Sequence, residues 1–176
     1  MRYAVVLNPA AQNGRAGRQR AAIEAALRVE NVRFDLYVTE RPGHATLLAQ
    51  QAAPDADVVL AVGGDGTVQE VVQGLHGSEA ALGVLPLGTG NDFAYALGVP
   101  ETLWEALQAL LTAPVRTIDL GRVYWEDATD DALGGHERLF ANCLGVGFDA
   151  LVARNARRFK RLGGRTAYHA AVFRTL

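Results

Sequence analysis

Apolar and polar positions along the chain switch repeatedly between two periods. Residues 2–7 (RYAVVL) form a short apolar run that stops at Asn8-Pro9, as a buried strand does. From Gly14 to Arg28, the apolar Ile23, Ala26 and Leu27 recur at helical spacing beside Arg15, Arg18 and Arg20. Residues 32–39 (VRFDLYVT) alternate strictly, which predicts a half-buried strand. Beyond Pro42-Gly43, residues 45–53 read as a helix that Pro54 ends. The run 58–62 (VVLAV) is apolar at every position, as in a strand covered on both faces. A helix over 67–75, a strand over 82–85, helices over 92–97 and 101–111 and a strand over 115–120 complete the series. Such repeated strand–helix units predict an α/β fold, a mostly parallel, Rossmann-like sheet with helices on both faces.

The pattern changes near Gly121. Residues 122–126 (RVYWE) and 138–144 (RLFANCL) read as strands joined by the polar loop DATDDALGGH, a hairpin pattern. Residues 149–176 read as two helices broken at Gly163-Gly164. Two strands and two helices do not enclose a core of their own. The expected organisation is a full α/β domain over 1–120 and the beginning of a second, incomplete domain over 121–176.

Composition narrows the classes. Apolar residues make up 49% of the chain and charged ones 20%, which excludes disorder. The single Cys143 excludes a disulfide framework and is expected to be buried in its apolar strand. No apolar run approaches the roughly 18 residues of a membrane span, and the run before Asn8 is too short for a signal-peptide core. A soluble, cytoplasmic, reduced protein is expected. The net charge of −2 hides an asymmetry: residues 1–150 hold all 19 acids and 10 of the 17 basic residues, a balance of −9, whereas 151–176 hold seven basic residues and no acid. The acidic body speaks against nucleic acid as a partner. The basic end suits anionic lipid or phosphate, hence peripheral contact with the inner face of the membrane, and its plain alternative is a solvated helix face.

Candidate chemistry sits where strands turn into helices. Gly63-Gly64-Asp65-Gly66-Thr67 directly follows VVLAV and precedes a helix. Ligands of open α/β sheets bind at the carboxyl ends of strands. Glycines let the backbone turn sharply and leave N–H groups open to phosphate oxygens at a helix start. Thr67 and Glu70 have the spacing of a capping box. A tight turn without ligand is the bland alternative, but an acid weakens anion binding unless a metal or hydroxyl needs it, and that conflict points to function. A second glycine-rich turn, Pro86-Leu87-Gly88-Thr89-Gly90-Asn91-Asp92, carries another carboxylate, and its plain alternative is that Asn91 or Asp92 merely caps the next helix. Asn8-Pro9, Thr39 and Asp119 fall at further strand ends, so Asp65, Asp92 and Asp119 are three carboxylates expected on one sheet edge.

Several chemistries are not indicated. The chain has no G-x-x-x-x-G-K-[ST] phosphate loop, no G-x-G-x-x-G after its first strand and no G-x-S-x-G nucleophile turn. His44, His76, His136 and His169 lack zinc spacing.

The ordered set GGDGT-VQEVVQGL, PLGTGNDFA, IDLG and FANCLGVGFDA resembles the diacylglycerol kinase catalytic domain family, which includes bacterial lipid kinases and is related to sphingosine and ceramide kinases. GGDGT alone is shared with NAD kinases and phosphofructokinases; its combination with PLGTGNDFA is far more specific. The resemblance implies ATP- and Mg²⁺-dependent transfer of the γ-phosphoryl group to the hydroxyl of a membrane lipid. It implies nucleotide contacts at Asn8, Pro9, Ala10, Ala11, Gln12, Thr39, Gly63, Gly64, Asp65, Gly66, Thr67, Val68, Gln69 and Thr89, with Asp65 catalytic and Asp65, Asp92 and Asp119 serving Mg²⁺ and its water network. In the absence of a phosphate-loop lysine, Arg15, Arg18 or Arg20 is a candidate helper.

The departures matter too. The family's first turn usually reads N-P-x-S-G, and here Ala11 and Gln12 bring no hydroxyl. Gln69 stands where Asn is common. The family's second domain is a β-sandwich that completes the lipid cleft and carries a general-base Glu and a further metal site. That domain would extend beyond Leu176, so the chain is expected to be a fragment holding the ATP site. Rival readings are an NAD kinase, against which PLGTGNDFA speaks, and a non-catalytic nucleotide- or lipid-binding module.

Overall fold

A computed structural model describes residues 1–125, 136–156 and 164–175, with side chains in the last stretch from residue 169 onward. They form two compact units, Met1–Ala141 and Asn142–Leu176. In the first, strands β1 (Arg2–Leu7), β2 (Arg33–Val38), β3 (Val58–Gly63) and β4 (Ala81–Pro86) build one sheet. All its pairings are parallel and its order is β2-β1-β3-β4. The helices are α1 (Ala11–Arg18), α2 (Arg20–Val29), α3 (His44–Ala52), α4 (Asp65–Leu75), α5 (Asp92–Ala96) and α6 (Leu103–Thr112). A short 3₁₀ turn, Ala53–Asp55, follows α3.

Alternation along the strands sends successive side chains to opposite faces. Val5, Leu7, Leu60, Val62 and Leu85 pack with Ala16 of α1, Ile23 and Leu27 of α2 and Leu107 of α6. Ala4, Val6, Val59, Ala61 and Val84 pack with Ala45 and Ala49 of α3, with Val68, Val71 and Val72 of α4, and with Phe93 of α5. The every-position apolar run in β3 thus fills two cores at once. Helices α3 and α4 approach closely at Gly74, where a Cβ would stand 2.3 Å from the Thr46 carbonyl oxygen.

A hairpin of β5 (Gly121–Trp125) and β6 (His136–Phe140) also belongs to the first unit. Its strands are antiparallel, with Trp125 stacked on His136 at a ring separation of 5.3 Å. Most of the loop DATDDALGGH, residues 127–135, lies outside the described residues. The second unit holds α7 (Phe148–Ala156) and α8 (Gly164–Thr175), joined by the bond from Asn155 Nδ2 to Thr175 Oγ1 at 2.9 Å. Of the basic cluster, Arg154 and Arg174 are exposed, while Arg157, Arg158, Lys160 and Arg161 lie outside the described residues.

The structure corrects four expectations. Residues 115–120 are not a strand: no described strand pairs with them, and Val115, Ile118 and Leu120 are exposed. An apolar pattern specifies a face, but a ladder partner makes the strand. The Thr67–Glu70 capping box does not form, because α4 begins at Asp65 and Thr67 already lies inside it. Glu70 instead accepts the Gly43 and Ala45 N–H groups at 2.9 and 3.1 Å, capping α3. Cys143 is exposed, since β6 ends at Phe140. Finally, residues 14–28 are not one helix: they divide into α1 and α2 at Gln19, and α1 itself holds Gln12, Asn13 and Gly14 at left-handed φ of 50, 54 and 82°.

Candidate active site

After β1 the chain moves to one side of the sheet, and after β3 to the other, with α1 and α4 on opposite faces. The carboxyl ends of β1 and β3 therefore flank the switch point, where open α/β sheets hold ligands. Asn8 links the two ends. Its Nδ2 donates to Thr67 Oγ1 at 3.0 Å, its backbone N–H donates to the Val62 carbonyl at 3.0 Å, and its Oδ1 accepts the Ala10 N–H at 3.1 Å. Thr67 is buried by this contact. Thr39 ends β2 beside it, buried, with its N–H donating to the Leu7 carbonyl at 2.9 Å.

No side chain caps α4. Its start is a backbone feature, and the aligned N–H dipoles there favour an anion. Gly64 is held against Gly88 of the next turn, so closely that a Cβ on Gly88 would stand 2.2 Å from Gly64 Cα. Leu87 N–H donates to the Gly63 carbonyl at 2.8 Å and fastens the two turns. Gly66 differs: nothing lies within 4 Å of the place its Cβ would take, so packing does not demand a glycine there.

The second turn is shaped by Asn91, left-handed at φ 58°. Its Oδ1 accepts the Gly88 N–H at 2.8 Å and its Nδ2 donates to the Gly88 carbonyl at 3.1 Å. Phe93 N–H donates to Asp65 Oδ1 at 3.0 Å, which leaves Asp65 Oδ2 facing Gly90. The point where a Gly90 Cβ would stand is 3.1 Å from Asp65 Oδ2 and 3.5 Å from Asp92 Oδ2. Two carboxylates so close favour a cation between them. A magnesium ion held by one or two carboxylates plus phosphate oxygens matches this donor set.

Asp119 does not join them. It lies exposed on the extended stretch after α6, and among the described residues no three His, Cys, Asp or Glu side chains are grouped to hold a metal. The missing strand over 115–120 removes the sheet edge expected to carry it.

At the first turn, the left-handed run Gln12–Gly14 curls the backbone in the manner of an anion-binding nest. Arg18 Nη1 lies 3.4 Å from where a Gly14 Cβ would be, so a guanidinium overhangs this turn. Arg20 is engaged elsewhere: it and Arg28 each meet Glu24 at 2.8 Å, and these hydrogen bonds, Arg20's first, hold the Glu24 carboxyl below its ordinary value. A hollow of about 880 Å³ opens at the opposite end of the sheet, lined by Arg2, Asn31, Arg33, Phe34, Asp35 and Asp57. It has no glycine turn and lies at strand amino ends, so its size is a poorer guide than the switch point.

The diacylglycerol kinase catalytic domain matches residues 2–123. The chain belongs to that family. A diacylglycerol kinase of Mycobacterium tuberculosis is 37% identical over 131 residues, 74% of this chain and 40% of that protein. A Chromohalobacter salexigens protein described as "Probable lipid kinase YegS-like" is 38% identical over 165 residues, 89% of this chain and 49% of its own length. A crystal structure of a diacylglycerol kinase from Bacillus anthracis superposes with a TM-score of 0.62 at 30% identity, covering 69% of this chain and 43% of that one. The chain spans less than half the length of these relatives.

Within this diacylglycerol kinase catalytic domain, Asn8, Gly63–Thr67 and the Gly88–Asp92 turn are tied together by the bonds above. Thr89 is exposed on that turn. Val68 is not at the surface: its side chain is in the core, and its N–H donates to the Gly64 carbonyl. The Gln69 amide is engaged by strand β6 rather than by the turn: it donates to the Leu139 carbonyl and accepts the Ala141 N–H at 3.4 Å. Sequence reasoning gave Asn91 only as a possible cap of the next helix, but its side chain holds Gly88 instead and makes no cap bond. Asn immediately before the acid of a glycine-rich turn was the available signal, since Asn tolerates the left-handed conformation.

Proposed function

We propose that the chain carries the nucleotide site of a lipid kinase, one that transfers the γ-phosphoryl group of ATP to a lipid hydroxyl with magnesium. The observation behind this reading is the convergence of Asp65 and Asp92 at Gly90, beside the uncapped start of α4. Family membership supplies kinase chemistry, and relatives named as diacylglycerol or lipid kinases suggest the acceptor.

In this reading the triphosphate lies across the switch point. The N–H groups of Gly64, Asp65 and Gly66 would face its oxygens, since the Thr67 N–H is held by the Gly64 carbonyl at 2.9 Å, and Gly66 leaves room for close approach. Asn8 after β1, and Gln12 and Arg18 of α1, would border the triphosphate from the other side of the switch point. Asp65 and Asp92 would hold magnesium, which supplies charge neutralisation on the phosphates. Asp119 is not proposed as a ligand. Transfer forms a bond from the lipid oxygen to the γ-phosphorus, breaks the bond to ADP and releases the hydroxyl proton. Such chemistry rests on positioning and charge neutralisation more than on covalent help from the protein.

Calorimetric titration of the chain with ATP tests the site, with and without magnesium. Saturable binding that requires magnesium is expected. Incubation with γ-labelled ATP and either diacylglycerol micelles or NAD tests the acceptor, with label expected on the lipid. Label on NAD alone would contradict the reading.

A further inference from the structure

Helix α4 presents three working faces. Val68, Val71 and Val72 face the sheet, and Glu70 and Gly74 meet α3. The third face carries Gln69 and Gln73, and both reach β6. Gln73 Nε2 donates to the Leu139 carbonyl at 2.6 Å, and Gln73 Oε1 accepts the Leu139 N–H at 3.2 Å. Gln69 adds a donor bond to the same Leu139 carbonyl and accepts the Ala141 N–H at 3.4 Å.

The spacing explains how two side chains imitate a strand. Glutamines at i and i+4 stand roughly 5–6 Å apart on one helix face. Backbone groups on one edge of a strand repeat every two residues, about 6.7 Å. Leu139 and Ala141 are two residues apart, and β5 pairs with the other edge of β6. The amides thus cover an edge that would otherwise be unpaired, and a two-stranded hairpin needs such support.

The same helix begins at Asp65, with Thr67 in its first turn. Asp65 to Gln73 is eight residues, about 12 Å of rigid helix. A change in the setting of one end is carried to the other.

We propose that Gln69 and Gln73 are positioning residues: their clamp on Leu139 and Ala141 couples occupancy of the nucleotide turn to the setting of the β5–β6 hairpin. This rests on the nucleotide reading above. Coupling of this kind is reciprocal, so a ligand at the turn tightens the clamp and the clamp orients Asp65.

Amide hydrogen exchange at Leu139 and Ala141, measured by NMR on the whole chain with and without saturating Mg·ATP, tests it. Calorimetry on the same samples reports binding independently. In the wild type, Mg·ATP is expected to slow exchange at both amides by about fivefold or more. Gln73→Met keeps the length of the side chain and deletes both of its bonds. Checked for folding by circular dichroism, it should still bind Mg·ATP while the Leu139 amide no longer responds. Should Gln73→Met fail to fold, Gln73→Leu serves in its place, since it neither donates to the Leu139 carbonyl nor accepts the Leu139 N–H; its Leu139 response should also be lost. Wild-type binding with unchanged exchange at both amides would overturn the coupling and leave the nucleotide site intact. A response retained in the folded Gln73 variant would overturn it too. Absence of any Mg·ATP binding to the wild type would overturn the nucleotide reading and the coupling with it.

Discussion

Asp65 uses its two carboxylate oxygens differently: Oδ1 accepts the Phe93 N–H at 3.0 Å, while Oδ2 faces Gly90 beside Asp92. The two roles separate by substitution. Asp65→Asn retains an oxygen for Phe93 and removes the charge, so its thermal midpoint should stay near that of the wild type, while the phosphoryl transfer proposed above should fall about a hundredfold or more. Asp65→Ala loses both, and its unfolding free energy should drop by about 1 kcal/mol as well. Kinetics beside thermal unfolding check the pair, and an Asp65→Asn variant with wild-type turnover would remove the charge from the mechanism. Asp65 was legible in the sequence, because an acid inside a glycine-rich turn breaks a local rule. Gln69 and Gln73 were not, since they are recognised by a backbone about 70 residues away, and Gln73 to Leu139 spans 66 positions. No pattern in α4 itself records such a partner.

The turns divide the glycines by purpose. Gly88 is demanded by the fold, since a Cβ would meet Gly64 Cα at 2.2 Å. Gly88→Ala should lower stability by about 1–3 kcal/mol, a loss of several degrees in Tm for a domain of this size. Gly66 meets nothing within 4 Å and lies in the first turn of a helix, where Ala is the better former. Gly66→Ala should therefore keep or raise the thermal midpoint, yet weaken Mg·ATP binding by about tenfold, because the added methyl would stand where the phosphate is proposed to approach. Thermal unfolding and calorimetry on the two variants check this, and Gly66→Ala with unchanged affinity would contradict close backbone approach. The strands of the parallel sheet were readable from short apolar runs ended by Asn, Pro or Gly. Residues 115–120 were misread because a lone segment cannot reveal whether a neighbour exists to pair with it. The start of α4 lies two residues before the expected Thr67: Asp65 and Gly66 are helical, and that displaces Thr67 from the cap.

In the first unit, the four-stranded sheet separates two cores, and its strand order leaves a single reversal at β1 and β3. The alternation of apolar and polar positions was enough to predict an α/β fold with both faces covered, and the family match agrees with it. Strand order was not legible, because it depends on which helix crosses which face. Asp119 shows the consequence: it lies in a third motif, IDLG, and is not grouped with the other two acids. Among the described residues no helix is long and apolar enough to cross a membrane. The proposed nucleotide with its magnesium sits at the switch point, against the glycine turns and the Asp65–Asp92 pair. Mapping backbone amide shifts by NMR during titration with a non-hydrolysable Mg·ATP analogue tests this placement. The largest shifts are expected at Asn8–Asn13, Gly63–Thr67 and Thr89–Asp92. Shifts concentrated instead around Arg2, Asn31–Asp35 and Asp57, at the other end of the sheet, would contradict it.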